Sequence, residues 1–463
     1  MKIISDKPIA FHIIDSANRD LIWRLFLAAA LTRIGLTSVI AKGVRFNQWL
    51  PDSRNLLILG RLPTNEGCSG YEDPLLKTIN QANAKVLFFH DEGAFYSRST
   101  YIGSLIRSHM LQCAEHECVR KILFWGPFQE RIARFLAPGA REKFMVVGAP
   151  RFDIYHPPYN RMVKMNRSDT DHTKTKKHIL IVTRGSGINP SGMHPAHLGS
   201  RLRNLNSYGI ADRSKVERVL FGKWAKFGID AVLMVKGISE LALAFPDEVF
   251  LVRPHPGENI AFYREAFEEY PNILVSGQGD LGTAMQKSKM VVGNDCTSGF
   301  ETLLSGKPFI NYRPSNGMLE EYSVYGLSKI GIIADDPESL IGTVRSFINS
   351  TTTTNEVRKS LEPLRKIIHN IDTPAIPGII DIVRNEINEL NEGSSVINTA
   401  SLKIKSVLRD LKNRVDPQRM KHIRLDAPKG DMEFLWNNIV SSGLADKSSK
   451  IVVAFDSIIV SPK

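Results

Sequence analysis

Short apolar runs and amphipathic stretches alternate along most of this chain. A first series of runs reads "IAFHIID" (9–15), "TSVIA" (37–41), "NLLILG" (55–60), "KVLFFH" (85–90), "KILFW" (121–125) and "KFMVV" (143–147). A second series reads "ILIVT" (179–183), "VFLVR" (249–253), "NILVS" (272–276), "MVVGN" (290–294), "PFINY" (308–312) and "IGIIA" (330–334). The runs are nearly continuous rather than alternating, as strands buried on both faces require. Helical stretches lie between them, in the second series at 213–226, 230–245, 259–269, 298–305 and 336–349. Strand and helix in alternation predict α/β architecture with parallel sheets. The most apolar stretch, "LIWRLFLAAALTRIGL" (21–36), is broken by Arg24 and Arg33. It falls short of the roughly 20 apolar residues of a bilayer span and predicts a buried helix.

Polar segments divide the chain. "NRMVKMNRSDTDHTKTKKH" (160–178) holds few apolar residues and reads as a linker, and "NEGSSVINTAS" (391–401) reads as another. The expected organisation is an N-terminal Rossmann-like domain over 1–160, a linker over 161–178, a second Rossmann-like domain over 179–390, and a basic extension over 391–463. Residues 401–429 carry nine Lys/Arg against three Asp, half of the net charge of +12. Ile404, Leu408, Leu411 and Val415 follow helical spacing there. Such a helix either packs back on the body or lies on an anionic membrane surface. No nucleic-acid motif accompanies the charge, so nucleic acid is not expected as a partner.

The net charge of +12 suits anionic partners without choosing among them. Four cysteines in 463 residues argue against a disulfide framework and fit a reducing compartment. Cys113 and Cys118 flank His116, but two thiols and one imidazole fall short of a zinc set. The opening residues lack the basic, apolar and small-residue regions of a secretory signal. The expectation is a cytoplasmic protein, peripheral on the inner face of the membrane if 401–429 binds lipid.

Candidate chemistry concentrates at strand ends. "FLVRPHPGE" (250–258) stops an apolar strand at Arg253 and at His255, which is held between two prolines. In "VVGNDCTSGFETLLSGKPFINYRP" (291–314), a strand reaches Asp295 and a small polar loop with Thr297, Ser298 and Gly299 opens a helix. Helix-start N–H groups favour anions, and Gly299 would permit close approach of a phosphate. The other reading of Ser298-x-x-Glu301 is a capping box. "TRGSGINPSG" (183–192) starts the second series with a glycine-rich turn bearing Arg184 and Ser186. In the first series, "VLFFHDEGAF" sets His90, Asp91 and Glu92 just beyond a strand. An acceptor hydroxyl needs a base, and a double displacement needs a carboxylate nucleophile. A solvated acidic loop is the alternative there. Arg151 and Asp153 in "GAPRFD" read as a pair pinning a loop.

"VRPHPGE" followed by "GNDCTSGFETLLSGKPFINYRP" resembles the donor-binding half of bacterial surface-carbohydrate biosynthesis proteins with GT-B architecture. Capsule Kdo transferases, teichoic-acid glycerophosphotransferases and UDP-N-acetylglucosamine 2-epimerases share similar elements. "VVGAPRFDIYHP", "ILFWGPFQERI" and "HDEGAF" resemble first-domain segments of the same group, so the likeness spans roughly 55–345. The resemblance implies two Rossmann-like domains facing a cleft. It implies that Arg253 and His255 contact the donor phosphate, that Thr297 and Ser298 add donors near Asp295 and Gly299, and that Glu301 binds ribose. It names Glu92, with Asp91 beside it, as the base or nucleophile; His90, Arg184 and Ser186 are secondary. His90-Asp91-Glu92-Gly93 lacks the further acidic residue expected before the glycine, which leaves the base open by one position. No metal and no bound cofactor are expected; the donor is a nucleotide sugar, with CMP-Kdo suited to a single-phosphate site. The acceptor is a lipid-linked or oligosaccharide glycan. The rival expectations are a CDP-alditol-dependent glycerol- or ribitol-phosphate transferase, a UDP-sugar 2-epimerase, and a non-catalytic assembly scaffold.

Overall fold

Each apolar run becomes a strand, shifted or trimmed by one or two residues. The computed structural model describes residues 2–14, 17–62, 74–89, 111, 113–163, 177–186, 188–190, 213–278, 281–315, 317–323, 326–349, 357, 359–388, 394–398, 429–454 and 457–462. His90, Asp91 and Glu92, and the basic segment up to 428, lie outside the described residues. The strands in chain order are β1 (Lys2–Ser5), β2 (Ile9–Ile14), β3 (Ser38–Lys42), β4 (Ser53–Arg54), β5 (Leu56–Leu59), β6 (Lys85–Phe89), β7 (Val119–Phe124) and β8 (Phe144–Val146). There follow β9 (His178–Val182), β10 (Phe250–Arg253), β11 (Ile273–Val275), β12 (Ser288–Gly293), β13 (Phe309–Tyr312) and β14 (Ile332–Ala334). β15 (Ser395–Asn398), β16 (Lys450–Ala454) and β17 (Ser457–Ser461) complete the set. The chain forms two compact units, and the α/β expectation with parallel sheets is met in each.

Unit 1 comprises Met1–Gly93, Ile106–Ser168 and Ile368–Lys463. Its main sheet runs β16-β17-β3-β2-β5-β6-β7-β8, parallel from β3 to β8 and closed at one edge by the antiparallel β16–β17 hairpin. The apolar stretch near the N-terminus is the helix α1 (Ala17–Thr32), packed into the core of this unit with Trp23, Phe26 and Leu31 fully buried. Arg24, inside that helix, is also fully buried. Its guanidinium donates to the carbonyls of Ile13 (3.0 Å) and Leu59 (3.2 Å) and lies over the rings of Trp23 and Phe89. Gly60 turns with φ +130°, and a Cβ there would stand 2.9 Å from the Arg24 guanidinium.

The C-terminal region is not a separate extension. From residue 368 onward the chain returns to unit 1, so the expected boundary at 390 falls inside that unit. The expected linker 391–401 contains β15, which pairs antiparallel with β1 and β4 because Ile397 is apolar enough to bury. The helix Ile376–Asn388 is anchored by Asp153. That carboxylate accepts the amides of Ala375 (2.8 Å) and Ile376 (2.7 Å) and the side chain of Asn370 (2.8 Å). Asp153 thus anchors a helix start some 220 residues away, rather than acting through the Arg151 pairing read from the sequence.

Unit 2 comprises Ala94–Leu105 and Asp169–Ile367. Its sheet is wholly parallel, in the order β11-β10-β9-β12-β13-β14. The helices expected at 213–226 and 230–245 are one helix, α2 (Arg213–Ala244). Gly228 lies inside it, spanned by the buried pair Lys226–Asp230 at i, i+4 spacing (3.0 Å). No described helix is long and apolar enough to cross a membrane.

Burial pushes the Asp153 carboxyl up to about 7, against three hydrogen bonds that favour its charged form. The folded chain therefore holds this proton more tightly than the unfolded chain. The contribution of Asp153 to stability falls as pH rises from about 4 to about 7 and is level above that. Urea denaturation across this range should show that slope, and Asp153→Asn should flatten it. Asp153→Ala, which leaves three donors without their acceptor, should cost about 1–3 kcal/mol.

Candidate functional site

A parallel sheet delivers the carboxyl ends of its strands to one edge, and adjacent strands deliver them side by side. In unit 2, β9 is central, with β10 on one side and β12 on the other. Arg253 stands beside Val182, and Val292 beside Ile181. The turn after β9, the Arg-Pro-His-Pro segment after β10 and the Asn-Asp-Cys-Thr-Ser-Gly loop after β12 therefore meet, although they come from three separate stretches of sequence.

Glu258 ties the first two together. It is buried, and its Oε1 accepts the amide of Gly185 and the hydroxyl of Tyr263 (2.7 Å). Its Oε2 accepts the hydroxyl of Thr183 and the amide of His255 (2.6 Å). Four donors on one carboxylate offset the cost of removing it from water. Tyr263, buried beside this charge, has its phenol pushed upward, by burial first and then by Glu258. His255 itself is exposed, and its Nδ1 accepts the amide of Gly257 at 3.1 Å. Arg253 is half-buried and donates to the carbonyl of Gln278 (2.5 Å). Ser186 is half-buried beside Gly257, where an added Cβ would lie 3.5 Å from its own.

Arg184 ties the β9 turn to the β12 loop. It donates to the carbonyl of Asp295 (2.9 Å), and its guanidinium lies 4.4 Å from the centre of the Phe227 ring. Burial lowers its pKa, while Asp295 and Asp230 work in the opposite direction. Asp295 adopts φ +37°, a left-handed conformation that Asp tolerates better than most residues. Its carboxylate accepts from Arg313 (3.1 Å) and Asn311 (3.2 Å), and its amide donates to Asn311 (2.9 Å). Burial raises its pKa, and the charges of Arg313 and Arg184 oppose the rise. Arg313 continues to Glu320 (2.5 Å) and Ser323 (3.3 Å). Burial works against the charge of Arg313, but Asp295 and Glu320 outweigh it and raise its pKa. Behind this chain, Lys226 reaches Asp230 and Ser315, and Ser315 in turn donates to Asp230; all three are buried.

The helix after the β12 loop, α3 (Ser298–Leu304), starts at Ser298 with Thr297 as its N-cap. Thr297 makes no side-chain cap bond, so the capping box read from Ser298 and Glu301 is not formed: the helix starts one residue too early for Ser298 to cap it. Gly299 is buried, and a Cβ there would lie 2.6 Å from Phe309 and from Ile330. Packing against β13 accounts for a glycine at that position. Glu301 is buried within the helix.

Of the candidates read from the sequence, Arg253, His255, Arg184, Ser186, Asp295, Thr297, Ser298 and Gly299 thus gather at one sheet edge. Glu258, Arg313 and the Lys226–Asp230–Ser315 group were missed. Glu258 was readable in one respect, as the acidic residue that closes the Pro-His-Pro-Gly turn. The Lys226–Asp230 spacing was visible too, but not its burial. Elsewhere, His116 Nδ1 lies 3.0 Å from Cys118 Sγ, and burial pushes that thiol up to about 12, far from a reactive thiolate. Among the described residues, no group of three or more His, Cys, Asp or Glu is placed to hold a metal ion.

No family model and no curated protein matches the chain. Among solved structures, the wall teichoic acid polymerase TagF is similar at 10% identity, covering 84% of this chain and 91% of that one, with a TM-score of 0.49. The UDP-GlcNAc 2-epimerase of Methanocaldococcus jannaschii, in complex with UDP-GlcNAc and UDP, is similar at 11% identity over 81% and 100%, with a TM-score of 0.45. MnaA of S. aureus with UDP is similar at 11% identity over 82% and 97%, with a TM-score of 0.45.

Arg313→Met should destabilise unit 2 by about 3–5 kcal/mol, because it strands the buried Asp295 carboxylate without its cation. Urea denaturation checks this. A loss under about 1 kcal/mol would show that Asp295 finds its charge balance elsewhere.

Proposed function

We propose that the chain is a GT-B glycosyltransferase that takes a nucleotide-activated sugar and transfers it to a glycan in surface polysaccharide assembly. The observation that supports this reading most is the convergence of the β9, β10 and β12 ends in unit 2. There Arg184, Arg253 and His255 stand with the loop 295–299 on one sheet edge. A sugar nucleotide departs as a nucleotide anion, and preset cations and N–H donors are what such a leaving group needs as its charge develops. In this reading Arg253 and His255 hold the phosphate, Thr297 and Ser298 add donors, and Glu301 serves the ribose. Glu92, with Asp91, activates the acceptor hydroxyl or attacks the sugar; that assignment comes from the sequence resemblance. CMP-Kdo is the donor proposed, and the acceptor is lipid-linked or oligosaccharide glycan. The 401–429 segment would keep the enzyme at an anionic inner membrane face.

Thermal-shift measurements with CMP, CDP, UDP and GDP test the reading. A ligand at a hundredfold of its Kd stabilises the folded state by about 2.7 kcal/mol, so the cognate nucleotide should raise the Tm by several degrees. Arg253→Ala and His255→Ala should each weaken that response by about tenfold or more in apparent affinity. Selectivity for CMP together with turnover of CMP-Kdo supports Kdo transfer. Turnover of a CDP-alditol instead reassigns the reaction to phosphodiester formation. Conversion of free UDP-GlcNAc without acceptor reassigns it to epimerisation, and no response to any nucleotide sinks the reading.

A further inference from the structure

α2 packs over the turn that follows β9. A Cβ added at Gly185 would stand 3.3 Å from that of Ala231, and one added at Gly228 would stand 3.6 Å from Ile188. Phe227 and Ala231 are four residues apart on α2, so they face the turn from one side of the helix. Arg184 meets this side, with its guanidinium 4.4 Å from the centre of the Phe227 ring. Its other contact is the hydrogen bond to the Asp295 carbonyl (2.9 Å). Among the described residues no carboxylate forms an ion pair with Arg184; Asp295 and Asp230 act on its charge without such a contact. A long side chain with no ion-pair partner is ordered by what it packs on. For Arg184 that is one carbonyl of the loop 295–299 and one ring of α2.

We propose that Phe227 is a positioning residue whose ring holds the Arg184 guanidinium at the sheet edge for an anionic phosphate. The proposal rests on the reading of this edge as a nucleotide site. The face of an aromatic ring attracts a cation and fixes where it lies. A carboxylate at the same place would grip the guanidinium too, but it would compete with a phosphate for the same N–H donors. A ring does not compete in that way. The role therefore belongs to the π face and not to bulk alone. Leucine at 227 keeps most of the packing and loses the face, whereas tyrosine keeps both. α2 is then part of the site, although Phe227 need not touch the ligand.

The test is a double-mutant cycle on the full chain, read by calorimetric titration with CMP. Phe227→Leu should weaken CMP binding by about fivefold, and Phe227→Tyr should restore most of the affinity. In an Arg184→Met background, Phe227→Leu should cost nothing further, because the ring acts through the guanidinium. Should Phe227→Leu fail to fold, Phe227→Met runs the same cycle. A second readout needs no ligand: the ¹H–¹⁵N heteronuclear NOE at arginine Nε, with Arg184→Met used to assign the signal. Arg184 should read as an ordered side chain in the wild type and as a mobile one in Phe227→Leu. An equal loss of affinity with and without Arg184 overturns the proposal, since the ring would then act by another route. So does an Arg184 side chain that is mobile in the wild type, or a folded Phe227→Leu chain with both readouts unchanged. A wild type in which Phe227 orders Arg184 but which binds none of the four nucleotides instead overturns the nucleotide reading and leaves the positioning standing.

Discussion

A carboxylate withdrawn from water is costly unless donors replace the water it loses, and Glu258 is where unit 2 meets that requirement most fully. Its four hydrogen bonds draw on the turns after two neighbouring strands. Without such a tie, strand ends in a parallel sheet terminate in loops free to move independently. With it, the turn after β9 and the turn after β10 become one body, and Arg184, Ser186 and His255 ride on that body. The site is therefore built from the hydrogen-bonding need of a side chain that need not touch a ligand at all.

The β12 side is held by a different device. Arg184, Asp295 and Arg313 form an alternating series of charges, extended by Glu320 and backed by Lys226 and Asp230. Three cations face three carboxylates across this group, so the burial is electrically balanced. Most members are constrained on at least two sides: Asp295 by Arg313 and Asn311, Asp230 by Lys226 and Ser315. Removing one charge would leave its neighbour buried and uncompensated, which makes the group behave as a unit. The left-handed backbone at Asp295 follows from this, since the loop must turn sharply for the carboxylate to reach Arg313 while its carbonyl still accepts from Arg184.

The central strands were legible because burial on both faces leaves continuous apolar runs such as Ile179–Val182 or Leu56–Leu59, and no competing structure absorbs them. β1 and β15 were not. Each is four residues long with few apolar positions, and they pair with each other across almost 400 residues, with β4 on the far side of β15. β16 and β17 were missed for a related reason. "KIVVA" and "SIIVS" are good strand sequences, but they stand behind a basic segment, apart from the strand–helix alternation. The pairing of β17 with β3 could be inferred only from an edge that the sequence does not mark. At the site, Arg253 and His255 stood out because polar residues abruptly end an apolar run. Glu258 and Arg313 did not, because a buried polar residue is recognised by its partners, and those lie on other strands. Gly299 shows the converse. A glycine at a helix start invites a phosphate, yet Phe309 and Ile330 occupy the space where its side chain would stand.

The two sheets use arginine at their strand ends in a parallel way. In unit 1, Arg24 spends its guanidinium on the carbonyls of Ile13 and Leu59 and on the faces of Trp23 and Phe89. In unit 2, Arg184 bonds to the carbonyl of Asp295 and lies over Phe227. A carbonyl or a ring face satisfies hydrogen-bonding and stacking needs without cancelling the formal charge, as a paired carboxylate would. These contacts hold each guanidinium in place. A cation held in place need not reorganise when an anion arrives, which is the condition electrostatic stabilisation of a leaving group demands. For Arg184 burial lowers the pKa on balance, and Asp295 and Asp230 offset only part of that. A phosphate arriving at this edge would therefore add support that the surroundings of this cation supply only in part, and would compete with the Asp295 carbonyl for it. Such competition would couple occupancy of the edge to the loop 295–299, because the carbonyl that Arg184 holds belongs to the first residue of that loop.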